Sequence, residues 1–367
     1  MVAAGVDPSE QRKAESGKVK AVKEAKLRAD NGKTEPDSFD AVFRDWLDTR
    51  RSGWSETYAA EVEARIVNDV LPWLGKKPIA SVDERMLLEC LRRVKQRGAI
   101  ESAHSTMQNC GQVFRFAIAS GLANRNPAQG MTEALKPVII THMAAIVEPE
   151  RFGELLRSID EYRGSVVTRS ALLLAALTFQ RPANVREMEW TELDLDAEKP
   201  LWTIPSAKVK RTVQKKASGR PHLVPLAPQA VIILRAMLPI TGEGRYVFRS
   251  LHTSQRPISE NTMNVALRRL GFTKDEMTSH GFRSSARTML VERPSANAEV
   301  VEVQLAHGKS GPLGGAYDRA EHMAQRYAQM QQWADYIDAL REGKSKVDSK
   351  LAKPPMKRSA KNSRSTV

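Results

Sequence analysis

Residues 260–288 read ENTMNVALRRLGFTKDEMTSHGFRSSART. Ser259 stands just before the run as a cap and predicts a helix reaching Leu270, and Thr278-Ser279-His280 predicts the opening of another. His280 and Arg283 are three positions apart. On a helix such residues share a face, so an imidazole and a guanidinium can reach one small group together. The stretch is therefore helical, and it carries chemistry at the start of its second helix.

Working outward, short strand-like runs occur at Leu201–Pro205 and His222–Leu226, with Ser206–Arg220 between them as a long basic hairpin. Helical stretches flank these runs from about Pro149 to Leu340. The region before them reads as all-helical. In Asp40–Arg50 the apolar residues Val42, Phe43, Trp46 and Leu47 fall at helical spacing. A helix over Thr57–Leu74 ends at Gly75, and Ser81-Val-Asp-Glu84 is a capping box opening Arg85–Arg97. Glu101–Ser120 is a long helical pattern stopped by Gly121. The fold class predicted is mainly α with a small β-sheet (α+β). The division is a linker or solvated helix over 1–36, a helical unit over 37–132, a connector over 133–146, a mixed unit over 147–340 and a basic, disordered tail over 341–367.

The chain has 367 residues and a formal net charge of +14, with 41% hydrophobic and 27% charged residues. That is a globular balance, with length for two or three domains. The charge is localised. Residues 341–367 hold nine basic residues against two acids, and Ser206–Arg220 holds six basic residues and no acid. Clustered lysine and arginine favour a polyanion, because neutralising phosphates releases counterions; for the tail, a purely solubilising role is the rival. The apolar run Ala171–Phe179 falls far short of the roughly 20 residues a membrane span needs, and MVAAGVDPSEQRK is no secretory signal. Cys90 and Cys110 cannot make a disulfide framework or a cysteine-rich zinc site. A reducing, cytoplasmic compartment fits.

HExxH, paired-cysteine and DxDxDG patterns are missing, as are GxGxxG, GxxxxGK[ST] and GxSxG. What occurs is an ordered set: Arg181 in TFQRPANVREMEW, Lys210 in WTIPSAKVKR, His280 and Arg283 in HGFR, His307 in QLAHGKS and Tyr317 in GAYDRA. Two arginines, a lysine, two histidines and a tyrosine make a kit for cleaving a phosphodiester without a metal. Arginine's fork suits phosphate, and a tyrosine that attacks phosphorus preserves the energy of the broken bond as phosphotyrosine.

On these residues, and on LAHGKSGPLGGAYDRA and MQQWADYIDAL, the chain resembles the tyrosine recombinases, specifically the P4-like integrases of prophages and genomic islands. The likeness runs from about Ser38 to Leu340. It implies a site-specific DNA recombinase, with a SAM-like core-DNA-binding domain and a catalytic domain closing as a C-shaped clamp on duplex DNA. Tyr317 would attack the scissile phosphate, leaving a 3′-phosphotyrosine and a free 5′-hydroxyl. Arg181 and Arg283 would hold the non-bridging oxygens, Lys210 would protonate the leaving oxygen, His280 would assist proton movement at Tyr317, and His307 would hydrogen-bond the phosphate. A cationic pocket is needed because a free tyrosine titrates near 10. Lys208, Arg211, Lys215, Lys216 and Arg220 would contact DNA. The implied partners are attachment-site duplexes, a homotetramer on DNA, an excisionase and a host DNA-bending protein. No membrane, metal or other cofactor is implied. Glu321–Leu340 would supply Met323, Tyr327, Met330, Trp333 and Ile337 to a neighbouring protomer or to its own.

Rivals stand beside these assignments. Lys208, Lys215 and Lys216 compete with Lys210, since TVQKKASG makes the hairpin longer than the family's usual turn. Tyr327 and Tyr336 compete with Tyr317, although the first lies on an amphipathic helix and the second reads as packing. Arg181, with Arg186 and Glu187 close by, has the reading of a solvated helix residue against it. His222 reads as structural or phosphate-facing, and Trp190 and Trp202 as core. Asn184 stands where the family usually has an acid supporting the first arginine. GVDPSEQRKAE resembles the end of the family's arm-binding domain, so residues 1–36 are a remnant of that domain or a linker. Two other functions share the sequence features: a catalytically silent DNA-binding accessory protein, and a type IB topoisomerase or dimer-resolving recombinase.

Overall fold

Ser38 starts the first helix by accepting the amide of Ala41 at 3.2 Å, and α1 then runs Phe39–Arg51. Asp40 in its first turn and Arg50 and Arg51 in its last complement the helix dipole. The buried stripe is Phe39, Val42, Phe43, Trp46 and Leu47. Ser55 caps α2 (Glu56–Asp69). The single helix expected to Leu74 is in fact two, because Leu71–Leu74 forms a separate α3 with Pro72 in its first turn. Proline has no amide to donate and its ring crowds the preceding turn, so one helix cannot run through it. The capping box expected at Ser81 is also displaced. Asp83 accepts from Met86 at 2.8 Å and opens α4 (Glu84–Gln96), while the Ser81 hydroxyl donates to the Pro78 carbonyl. Then α5 (Ile100–Ala119) lays Cys110, Val113, Phe114 and Ala117 on the core, with Phe114 edge-on to Phe39. Its stop is Gly121, at φ +72°. Each large side chain so buried contributes about 1.5–3 kcal/mol.

The computed structural model describes residues 35–137, 143–209, 219–292, 297–306 and 322–344. They form two compact units, divided between residues 140 and 141. Lys210, Arg211, Lys215, Lys216, His307 and Tyr317 lie outside the described residues, as do residues 1–34 and the tail beyond residue 344.

The second unit is built round three helices, α6 (Pro149–Asp160), α7 (Val166–Thr178) and the last helix of the unit, Met323–Arg341. Trp333 sits at their centre, fully buried, with Phe152 and Phe179 each at 6.2 Å and its indole donating to the Ala176 carbonyl at 2.9 Å. The approach of the last helix to α6 is close enough to require Gly153, where a Cβ would lie 2.6 Å from the Leu340 oxygen. Met330, Trp333 and Ile337, candidates for a neighbour's surface, are thus core residues of their own protomer.

After α7 come α8 (Pro182–Arg186) and three antiparallel strands, β1 (Leu193–Asp194), β2 (Leu201–Ile204) and β3 (His222–Pro225). The register pairs Leu193 with Trp202 and Ile204 with His222. Strand β3 leads to α9 (Pro228–Thr241), which packs on α7, then α10 (Thr262–Arg269), α11 (Gly281–Val291) and α12 (Ala298–Gln304). The last helix is α13. Helix α10 begins later than expected: Ser259 bonds the Thr262 hydroxyl at 2.9 Å rather than capping a backbone amide. Among the described residues no helix is long and apolar enough to cross a membrane, and no cluster of His, Cys, Asp or Glu is suited to a metal.

Candidate active site

Helix α7 ends because Phe179 turns left-handed, at φ 42° and ψ 34°. For a residue with a Cβ that conformation costs roughly 1–2 kcal/mol. Burying the Phe179 ring against Trp333 offsets it, and the turn delivers Gln180 and Arg181 to the start of α8, where Pro182 occupies the first turn. The Phe179 carbonyl swings toward α11 and accepts Arg283 Nη1 at 2.8 Å. The other arm of that guanidinium, Nη2, donates to the Leu305 carbonyl at 2.7 Å. One residue on, Ala306 is also left-handed, at φ 52°, and its carbonyl accepts Arg181 Nη2 at 3.5 Å.

The last carbonyls of α12 have no partners within the helix, as at any helix C-terminus. Here side chains from three other elements supply them, and a fourth holds the Gln304 side chain. Besides the two arginines, Gln180 Nε2 and His222 Nε2 donate to the Gln304 carbonyl at 2.8 and 3.1 Å. Arg326 of α13, itself buried, donates to Gln304 Oε1 through Nε at 2.9 Å and Nη2 at 2.7 Å, and Nη2 also meets the Leu223 carbonyl. Residues 304–306 are therefore held by α8, α11, β3 and α13, just before the chain reaches His307. His222 is structural.

Electrostatically the two arginines are close enough for the charge of Arg181 to act on Arg283. Burial, with the adjacent Arg181 charge, lowers Arg283 from its ordinary range to about 9, which still leaves it cationic at neutral pH. Among the contacts described, carbonyl oxygens accept from both guanidiniums, and Glu302 acts on Arg283 as a nearby negative charge. Asn184 is buried, and its Nδ2 has no hydrogen-bond partner among the described residues.

His280 stands at the start of α11, half-buried, and Thr278 Oγ1 accepts the Gly281 amide at 3.1 Å. The start of α11 lies against the chain at 144–145. Thr278 donates to the Ala144 carbonyl through both its amide and its hydroxyl, and a Cβ at 281 would come within 2.4 Å of that oxygen.

At the root of the hairpin, Lys208 does not reach outward. Its Nζ donates to the Glu187 carbonyl and to Glu189 Oε1, both at 2.7 Å, and bonds Glu192 Oε1. This corrects its place among the DNA contacts and among the rivals of Lys210. Arg245 engages Glu189 at 2.9 Å and holds that carboxyl down to about 2, with Lys208 adding to the effect. Trp202, fully buried, donates to Glu192 Oε2 at 2.9 Å. Of the basic hairpin residues expected at DNA, Arg220 is described and is exposed. The rival tyrosines are occupied: Tyr327 donates to the Lys199 and Pro200 carbonyls, and Tyr336 is packed against Trp333. Arg186 is engaged by Glu187. Sequence reasoning missed Gln180, Gln304 and Arg326. For Arg326 a signal existed, since it continues the buried stripe of Met330, Trp333 and Ile337 at spacings of four and three.

Comparison with known proteins places two family descriptions on the chain: the phage integrase central domain over residues 39–134 and the phage integrase family over 146–322. The chain is 35% identical over 349 residues to the putative protein IntB of Escherichia coli (strain K12), covering 93% of this chain and 84% of that one. It is 33% identical to the integrase of Enterobacteria phage P4, covering 83% and 70%. Among solved structures, a lambda integrase tetramer bound to a Holliday junction superposes with a TM-score of 0.56 at 17% identity, over 77% of this chain and 78% of that one.

Proposed function

The chain belongs to the phage integrase family and is a tyrosine-type site-specific DNA recombinase, and from that premise we propose that it cuts and rejoins attachment-site DNA through Tyr317. In the first step the Tyr317 phenolic oxygen bonds to the scissile phosphorus and the bond from phosphorus to the 5′-oxygen breaks. The phenolic proton passes to His280, Lys210 delivers a proton to the departing 5′-oxygen, and His307 bonds a non-bridging oxygen. The products are a 3′-phosphotyrosine and a free 5′-hydroxyl, and attack by another strand's 5′-hydroxyl reverses the step. Arg181 and Arg283 stabilise the charge that grows on the non-bridging oxygens.

The observation that carries this reading is the convergence of Arg181 and Arg283 on the carbonyls of Leu305 and Ala306. Both cations are fixed one or two residues before His307. Two partners exchange strands when four protomers gather on two sites, and Arg211, Lys215, Lys216 and Arg220 add phosphate contacts. An excisionase and a host DNA-bending protein set the direction of the reaction.

The test is trapping on a nicked duplex bearing the attachment core of the element that encodes the chain. Wild type should form a protease-sensitive adduct at the 3′-phosphate in the presence of EDTA, and Tyr317→Phe should form none. An adduct in both proteins moves the nucleophile elsewhere. DNA binding without adduct in either favours an accessory role.

A further inference from the structure

Lys208 and Lys210 are two residues apart on the same arm of the hairpin, yet Lys208 is turned into a cluster that belongs to another part of the fold. Its ammonium is held by the Glu187 carbonyl, Glu189 and Glu192. All three come from the end of α8 and the stretch after it, and Arg181 is the N-cap of that helix. The receiving carboxylates are themselves fixed. Glu189 is tied by Arg245; Glu192, 5% exposed in its side chain, is tied by the Trp202 indole and donated to by the Glu189 amide at 3.4 Å. The residue between the two lysines, Val209, is buried in the core. So the arm is pinned at 208 and at 209, immediately before 210.

We infer that Lys208 is a positioning residue, an anchor that sets the hairpin arm relative to the segment carrying Arg181 and so places Lys210 at the leaving oxygen. This rests on the proposed role of Lys210 as proton donor. A flexible four-carbon lysine on a long hairpin is a poor positional device alone, and general acid catalysis requires the donor within hydrogen-bond reach of the oxygen it protonates. An ion-paired anchor two residues away supplies that constraint without touching DNA. It also accounts for a lysine, inside the most basic internal segment of the chain, whose charge is spent on two glutamates.

The test compares single-turnover cleavage of two nicked attachment-core duplexes, one all-oxygen and one with sulfur replacing the scissile 5′-bridging oxygen. A thiolate leaves without being protonated, so a defect confined to proton delivery vanishes on the sulfur substrate. Lys208→Met is expected to slow the oxygen substrate on the order of 10²-fold, the cost of misplacing a group by about 1 Å, and to cleave the sulfur substrate at the wild-type rate. Lys208→Arg, which keeps the ion pairs but donates no proton, should retain most oxygen cleavage. Glu189→Gln weakens the same anchor from the other side and should show the Lys208→Met pattern in milder form, which keeps the test open if Lys208→Met folds poorly.

Wild-type oxygen cleavage by Lys208→Met overturns the inference, and so does equal slowing of both substrates by Lys208→Met and Glu189→Gln. Slow oxygen and fast sulfur cleavage by Lys208→Arg would make Lys208 itself the proton donor and overturns it too. Lys210→Ala reports separately on the underlying reading: slow cleavage of both substrates, or none of either defect, removes Lys210 as the donor whatever Lys208 shows.

Discussion

Replacing Gly281 with alanine perturbs the candidate site without removing any functional group. The added methyl carbon would stand 2.4 Å from the Ala144 oxygen and 2.9 Å from the Met277 sulfur. An ordinary carbon–oxygen contact is about 3.3–3.6 Å, so the start of α11 must retreat from the 144–145 backbone by about 1 Å. His280 and Arg283 lie on either side of the substituted position and move with it. Overpacking of this kind costs about 1–3 kcal/mol, and in a unit of this size each kcal/mol lowers the melting temperature by about 2–4 °C. Misplacing catalytic groups by about 1 Å costs on the order of 10² in rate. Gly281→Ala is therefore expected to melt several degrees lower, and, at a temperature where it is fully folded, to form the covalent adduct on a nicked duplex on the order of 10²-fold more slowly. DNA affinity should change little, because the proposed phosphate contacts of Arg211, Lys215, Lys216 and Arg220 are not touched. The reasoning is refuted if the variant melts lower yet cleaves at the wild-type rate, which would uncouple the strap at 144–145 from Arg283. It is refuted equally if neither quantity changes.

Trp333→Ala should destabilise the catalytic unit by about 3–5 kcal/mol in urea titration, with the helical unit's own transition unmoved; Trp333→Phe, which loses mainly the indole bond to Ala176, should cost much less. Ala306→Gly relieves a left-handed residue at φ 52° and should raise stability by about 1 kcal/mol, and a lower melting temperature would show that no strain is stored there. Glu189 titrates at about 2 in the folded protein against an ordinary 4.5. A depressed carboxyl contributes stability above its unfolded value and loses it as the pH falls through the folded one. Glu189→Gln should thus melt below wild type at pH 7, with the gap closing between about pH 4.5 and 2; a gap independent of pH would contradict the ion-pair account.

Helices with a one-sided apolar stripe were legible in the sequence, since α1 and α5 needed only the spacing of residues such as Val42, Phe43, Trp46 and Leu47. Their ends were less so. Ser81 and Asp83 both have capping side chains, and only the backbone turn at Ile79–Ser81 decides between them. Strand β1 is two residues long and exists because Leu193 pairs with Trp202, a tertiary fact with no local period. Arg181, Arg283 and His280 stood out in the sequence because their chemistry is distinctive, and the structure brings the two arginines together on the carbonyls before His307. Lys208 was misplaced because a lysine in a basic run reads as solvated, whereas its partners Glu189 and Glu192 lie some 16–19 positions upstream. Gln180 and Arg326 act on backbone carbonyls, which leave no mark on the sequence, and Gln304 acts by accepting Arg326 from a distant helix.

Arg326 and Gln304 are bonded across the gap between α12 and α13, and α13 is sunk into its own catalytic core through Trp333. Tyr317 stands five positions before His322 at the head of that helix, with four residues between them. A chain reaches at most about 3.3–3.6 Å per residue, so the tyrosine's Cα is leashed within about 18 Å of a fixed mooring. With Tyr317 as the proposed nucleophile, reaching a phosphate held by another protomer is then a question of range: that phosphate has to be brought inside that radius by how the partners assemble. A change in assembly geometry could silence cleavage with every reacting group intact, and lengthening the leash ahead of His322 would be the way to restore it.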